Sequence, residues 1–99
     1  MAKEAFLTRT KTNEKVNINT PDFRIGKLKE HVDYAVDNPW ISRVHASIAT
    51  RDGRYFIMDL FSTNRVYING AAIKQRVEYE IFSGDKIRLA NEDFEFIVE

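Results

Sequence analysis

Hydrophobic residues in this chain recur at every second position, in short runs, and almost never at helical spacing. A period of two puts alternate side chains on opposite faces of a strand, which leaves an amphipathic helix nothing to bury. Phe6 and Thr8 alternate with Leu7 and Arg9, Val16 and Ile18 flank Asn17, and Val66 and Ile68 flank Tyr67. Ile87 and Leu89 alternate with Lys86 and Arg88, and Phe94, Phe96 and Val98 share a face with Glu95 opposite. Turn residues punctuate the runs. Lys11-Thr12-Asn13-Glu14 reads as a hairpin loop, Asp37-Asn38-Pro39 as a turn, and Asn91-Glu92 as a reversal before the last strand. Asp52-Gly53 and Asn69-Gly70 carry the signature of two-residue hairpins. A helical turn is expected only around Ala71 to Gln75. About ten to eleven short strands, spaced by roughly 8–12 residues, predict an all-β fold: a two-sheet antiparallel β-sandwich.

Ninety-nine residues make one domain, 1–99, with seven Phe, four Tyr and Trp40 supplying bulk for a thin core. The chain has no cysteine, which excludes disulfides and Cys-based zinc sites and is compatible with a reducing compartment. No apolar run reaches the length of a membrane span, and Met1-Ala2-Lys3-Glu4 has no apolar stretch like that of a signal peptide. A cytoplasmic location without membrane insertion is the resulting expectation. The 15 basic and 15 acidic residues cancel. That balance disfavours a partner found through long-range field, such as nucleic acid, but not a small anion held by a few pointed donors.

Four loop clusters stand where alternating runs end: Gly26-Lys27, Ser42-Arg43-Val44-His45, Ser62-Thr63-Asn64 and Ser83-Gly84-Asp85. Each residue has a plain structural reading. Ser42 suits a turn, Arg43 a solvated surface, Lys27 a protected sheet edge, Asn64 a tight turn, and His45 a brace tying its loop to a backbone group. Together they suit a phosphoryl group, with its three acceptor oxygens and charge of about −1.5 to −2. Ser42 and Thr63 offer hydroxyls, Arg43 a guanidinium fork and Lys27 an ammonium. Charge-assisted hydrogen bonds contribute on the order of 1.5–3 kcal/mol each. Three or four of them, offset by desolvation and ordering, leave a micromolar site at about −8 kcal/mol.

The same four clusters, in this order and spacing, resemble the forkhead-associated (FHA) domain, whose pattern runs Gly-Arg, Ser-x-x-His, Ser-x-Asn-Gly and a later Gly-Asp. The resemblance covers about residues 23–98, and the strands before it suit the family's first hairpin. It implies a β-sandwich that binds phosphothreonine peptides and recruits a partner marked by a serine/threonine kinase. No catalysis, cofactor, metal or small-molecule substrate is implied. On this resemblance Ser42 and Thr63 contact the phosphate, Lys27 takes the place of the phosphate-binding arginine, and Arg43 reaches the phosphate or the next peptide residue. Asn64 binds the peptide backbone, His45 braces the Ser42 loop, Gly26 permits close backbone approach, and Trp40 and Arg65 are rim contacts. A preference for threonine over serine would rest on a small pocket for the extra methyl, worth roughly 1 kcal/mol.

Two positions depart from the family pattern. Lys27 replaces an arginine fork with a point charge. Arg65 replaces the glycine after the asparagine, which costs strain if that position needs a positive φ. These departures keep open an alternative, a scaffold of the same fold that binds protein without phosphate. Two enzyme readings are also formally available: a metal-dependent one on His31, Asp33 and His45, and a hydrolase one on Ser42, His45 and Asp59.

Overall fold

A computed structural model describes residues 3–99. The strands are β1 (Ala5–Arg9), β2 (Lys15–Asn17), β3 (Asp22–Gly26), β4 (Tyr34–Ala35), β5 (Ala46–Arg51), β6 (Arg54–Asp59), β7 (Val66–Ile68), β8 (Ala71–Ala72), β9 (Glu78–Ile81), β10 (Lys86–Leu89) and β11 (Glu92–Val98). They form two sheets, in the orders β2-β1-β11-β10-β7-β8 and β4-β3-β5-β6-β9. Neighbouring strands pair antiparallel except β3 and β4, which run parallel and are joined through a 3-10 turn at Lys29–His31. The expected two-sheet β-sandwich is the architecture observed.

The alternation assigns the core. Leu7, Phe23, Ile25, Ile48, Ile57, Ile87, Leu89, Phe94 and Phe96 all point between the sheets and are buried. Tyr55 packs edge-on against Phe96, and Tyr34 against Phe94, so aromatic edges close the sides of the layer. One charged side chain shares the inward face of β11. Glu92, at its start, is 4% exposed and accepts a 2.8 Å hydrogen bond from Arg9 Nε on β1 and a 2.9 Å bond from the Asn38 amide. The Arg9 bond holds the Glu92 carboxyl below its usual range despite burial, and in return raises the Arg9 guanidinium.

Both two-residue hairpins form as expected. Asp52 and Gly53 lie at φ 51° and 72°, and Asn69 and Gly70 at 50° and 87°, the paired left-handed conformation that matches strand twist. The helical turn expected around Ala71 to Gln75 does not form. The Asn69-Gly70 turn reverses the chain, and Ala71 and Ala72 pair with Ile68 and Tyr67 instead. The final reversal falls on Ala90 and Asn91, one residue earlier than the expected pair, because Glu92 already pairs with Leu89.

Candidate functional site

Upstream of β5 the chain keeps running beside β3 without regular pairing. His45 N–H donates to the Ile25 carbonyl (2.8 Å), Lys27 N–H to the Ser42 carbonyl (2.9 Å) and Leu28 N–H to the Arg43 carbonyl (3.1 Å). Gly26 sits at the crossing. A Cβ there would collide with the Arg43 carbonyl oxygen and lie 2.9 Å from Val44 Cα. Glycine is required by this close approach. The result is a fixed register that sets Lys27 beside Ser42 and Arg43.

His45 is fully buried and joins two loops. Its Nδ1 accepts the Ser42 N–H at 3.0 Å, so Nε2 carries the proton and donates to the Arg65 carbonyl at 2.8 Å. Burial pushes the imidazole pKa down from 6.5, while the Arg65 carbonyl and the charge of nearby Asp59 pull it partly back. The ring is therefore neutral at neutral pH and links the Ser42 loop to the Arg65 loop.

The second loop hangs on Asp59, the buried last residue of β6. Its Oδ1 accepts the Ser62 N–H (2.8 Å) and its backbone carbonyl accepts the Arg76 N–H (2.9 Å). The Gln75 amide donates to the Ser62 carbonyl at 2.8 Å. This lattice holds Phe61 at φ 61° and Arg65 at φ 73°. Non-glycine residues pay about 1–2 kcal/mol in that region, so the strain expected at Arg65 is real. Asp59 Oδ2 and Ser62 Oγ are buried without hydrogen-bond partners among the described residues.

The two loops meet at their tips. Thr63 N–H donates to Ser42 Oγ at 3.0 Å, so the serine oxygen accepts from the second loop and keeps its own proton to donate elsewhere. Asn64 Nδ2 donates to the Trp40 carbonyl at 2.9 Å. Asn38, through Asn91 (2.8 Å) and Glu92, ties the loop that carries Trp40 to the turn after β10. Lys27 Nζ approaches Asp37 only to 3.9 Å, and Arg43 and Arg65 make no ion pair among the described residues. Trp40 stands 58% exposed at the rim. The structure thus brings Lys27, Ser42, Arg43, Thr63 and Asn64 to one end of the sandwich, with Gly26 and His45 beneath and Trp40 and Arg65 beside them.

Neither enzyme geometry is present. His45 meets the backbone nitrogen of Ser42 rather than its hydroxyl, so it is not placed as the base for that serine. Both His45 nitrogens are engaged, and Asp33 Oδ2 is bound by the Arg24 N–H. Among the described residues no three His, Cys, Asp or Glu gather as metal ligands.

A family model for the FHA domain matches residues 23–90, well over half of the chain. This chain belongs to the FHA domain family. Among curated FHA relatives, the chain is 33% identical over 89 residues to the FHA domain-containing protein DDL of Arabidopsis thaliana, covering 77% of this chain and 28% of that protein. It is 36% identical over 73 residues to the transcriptional regulatory protein EmbR of Mycobacterium tuberculosis, covering 74% of this chain and 18% of EmbR. The chain therefore spans less than a third of either relative. The solved structure of Mycobacterium tuberculosis EmbR with a low-affinity phosphopeptide superposes with a TM-score of 0.88 at 29% identity, over 95% of this chain and 24% of that one. The MEK1 FHA domain in complex with the HOP1 pThr318 peptide superposes at 0.82 with 22% identity, over 96% of both chains, and shares the FHA fold.

Sequence reasoning missed three residues of this FHA loop cluster. In the sequence Asn38 reads only as a turn residue, although Asx side chains commonly bridge loops. Phe61 and Arg76 carry almost no signal of a place in the site. Each lies at a left-handed φ, 61° and 63°, which their residue types do not announce. The single available signal for Phe61 was a large apolar residue directly before the Ser-Thr-Asn cluster.

Proposed function

We propose that this FHA domain binds a phosphothreonine-containing segment of a partner protein. It thereby recruits that partner after a serine/threonine kinase has marked it, itself catalyses nothing, and works in the cytoplasm on chain 1–99 as one unit. The observation that carries this reading is the Ser42–Thr63 junction. The Thr63 N–H on Ser42 Oγ brings two hydroxyl-bearing residues of different loops together, near Arg43, which has no carboxylate partner among the described residues, and Lys27, whose one carboxylate neighbour is Asp37 at 3.9 Å. Ser42 and Thr63 take phosphate oxygens, Lys27 and Arg43 supply the charge, and Asn64, whose Oδ1 has no internal partner among the described residues, meets the peptide backbone. His45 and Gly26 act beneath the contact surface, and Trp40 and Arg65 flank it. EmbR, similar in sequence and fold, has been seen with a phosphopeptide, which supports the same ligand class here.

The test is fluorescence anisotropy with degenerate peptide pools carrying phosphothreonine, phosphoserine or neither. Micromolar binding confined to the phosphothreonine pool is expected. Ser42→Ala should remove at least about tenfold in affinity, equivalent to roughly 1.4 kcal/mol, with the fold intact, while Lys27→Arg should keep or strengthen binding. Equal affinity for phosphorylated and plain pools would instead establish a phosphate-independent scaffold.

A further inference from the structure

The arginines of this domain divide into two groups. Five form ion pairs: Arg9 with Glu92, Arg24 with Asp22, Arg51 with Glu78, Arg54 with Glu80, and Arg88 with Asp93. The remaining three, Arg43, Arg65 and Arg76, have no carboxylate partner among the described residues, and all three belong to the loop cluster around Ser42 and Thr63. Lysines divide differently: Lys15, Lys27 and Lys86 have carboxylate partners, and Lys27 is the one of these in the loop cluster. Arg43 and Arg65 are accounted for by the phosphate and its rim. Arg76 is not.

Arg76 is exposed, and its backbone N–H is bound to the Asp59 carbonyl at 2.9 Å, which fixes the base of the side chain. Its guanidinium lies over the ring of Phe61, 5.5 Å from the centroid, and Phe61 is itself 68% exposed. A ring face restrains a guanidinium without neutralising it, and leaves its N–H edges free to bind a carboxylate or phosphate in a fork. Both residues sit at left-handed φ, where glycine or asparagine would be easier. An aromatic and a cation are thus presented together at an energetic cost, beside the phosphate loop. Phe61 precedes Thr63 by two residues, a span of at most about 7 Å, comparable to two residues of an extended peptide.

We propose, resting on the phosphopeptide reading above, that Phe61 and Arg76 form a second anion-binding position. It takes an acidic group on the same partner segment, a few residues from the phosphothreonine. The preferred ligand is then a phosphothreonine in an acidic or doubly phosphorylated context.

The experiment uses phosphothreonine peptides with alanine flanks, compared with sets in which glutamate or phosphoserine is placed singly at each of the neighbouring positions on either side. At one or two positions the added anion should raise affinity about fivefold, and the gain should shrink as salt is added. Arg76→Asn keeps the backbone N–H and suits the left-handed φ. In this variant the gain should vanish while affinity for the alanine-flanked peptide stays the same. A larger gain from phosphoserine than from glutamate would assign the position to a second phosphate, and equal gains to an acidic residue. Equal affinity for neutral and acidic peptides, or a gain that survives Arg76→Asn, overturns the second position while leaving the phosphothreonine reading intact. Failure of every phosphopeptide to bind overturns both.

Discussion

Beside Asn13, Gly84 and Ala90, left-handed backbone occurs in two settings that are built differently. In the hairpins at Asp52-Gly53 and Asn69-Gly70 the residue types match the dihedrals, so the turn is chosen by its own sequence. In the arc that carries the recognition loop, Phe61, Arg65 and Arg76 take the same dihedrals with the wrong residue types. There the conformation is imposed from outside, by Asp59 on Ser62 and Arg76 and by His45 on Arg65. A turn chosen locally survives the loss of distant contacts, whereas a turn imposed by them does not. Strain held in this way collects where surface chemistry, rather than chain propensity, has selected the side chains.

Substitutions can break the contrast in order of size. Gly26→Ala drives a methyl group into the Arg43 carbonyl, where the obstacle is backbone and cannot yield. A loss of about 3 kcal/mol or more is expected in urea denaturation, together with loss of phosphopeptide binding. His45→Ala leaves the Ser42 N–H and the Arg65 carbonyl without the ring between them. Stability should fall by about 2–3 kcal/mol, and a variant as stable as the parent would remove the imposed-turn account.

The same histidine gives the arc a pH dependence of its own. Its pKa is lowered from 6.5 in the fold, so the unfolded chain binds a proton first as pH falls. Stability should therefore decline as pH drops below about 6.5, with the full penalty reached below the folded pKa. Melting temperatures across pH 7 to 5 measure this, and the slope over that window should flatten in His45→Ala.

The smallest effects should have opposite signs in the two settings. Gly53→Ala has open space around its Cβ, so its expected cost of about 1 kcal/mol is purely conformational. Arg65→Gly relieves strain at φ 73° and should gain about 0.5–1 kcal/mol after the entropy of the unfolded chain is counted. A loss of stability in Arg65→Gly would mean that the side chain makes contacts that outweigh the strain.

The same contrast explains what could be read from the sequence. Alternation and Asp-Gly or Asn-Gly pairs are local signals, and the sandwich, both hairpins and the inward face of β11 followed from them. The loop clusters were readable because their spacing matched a known pattern; neither Ser42 nor Asn64 would have stood out alone. The pairing of Ala71 and Ala72 was lost because two alanines carry no strand signal, and only the turn before them sets their partner. Phe61 and Arg76 stayed hidden for the reason just given: the contacts that impose their dihedrals join Asp59 to residues 62 and 76, and no local pattern records them.

The two charged residues joined across the six-stranded sheet, Arg9 and Glu92, also bear on where the domain can be cut. The family match stops short of both, running from 23 to 90. Yet β1 and β11 are adjacent interior strands of that sheet, and Leu7, Phe94 and Phe96 are among its fully or almost fully buried side chains. A fragment trimmed to the matched residues would lose three of six strands on one side, bare the ladder edge of β10, and uncover the inner faces of the remaining strands. Such an edge is a template for pairing with another copy. The trimmed fragment should self-associate, and the motif alone is therefore a poor guide to the boundaries of the folding unit.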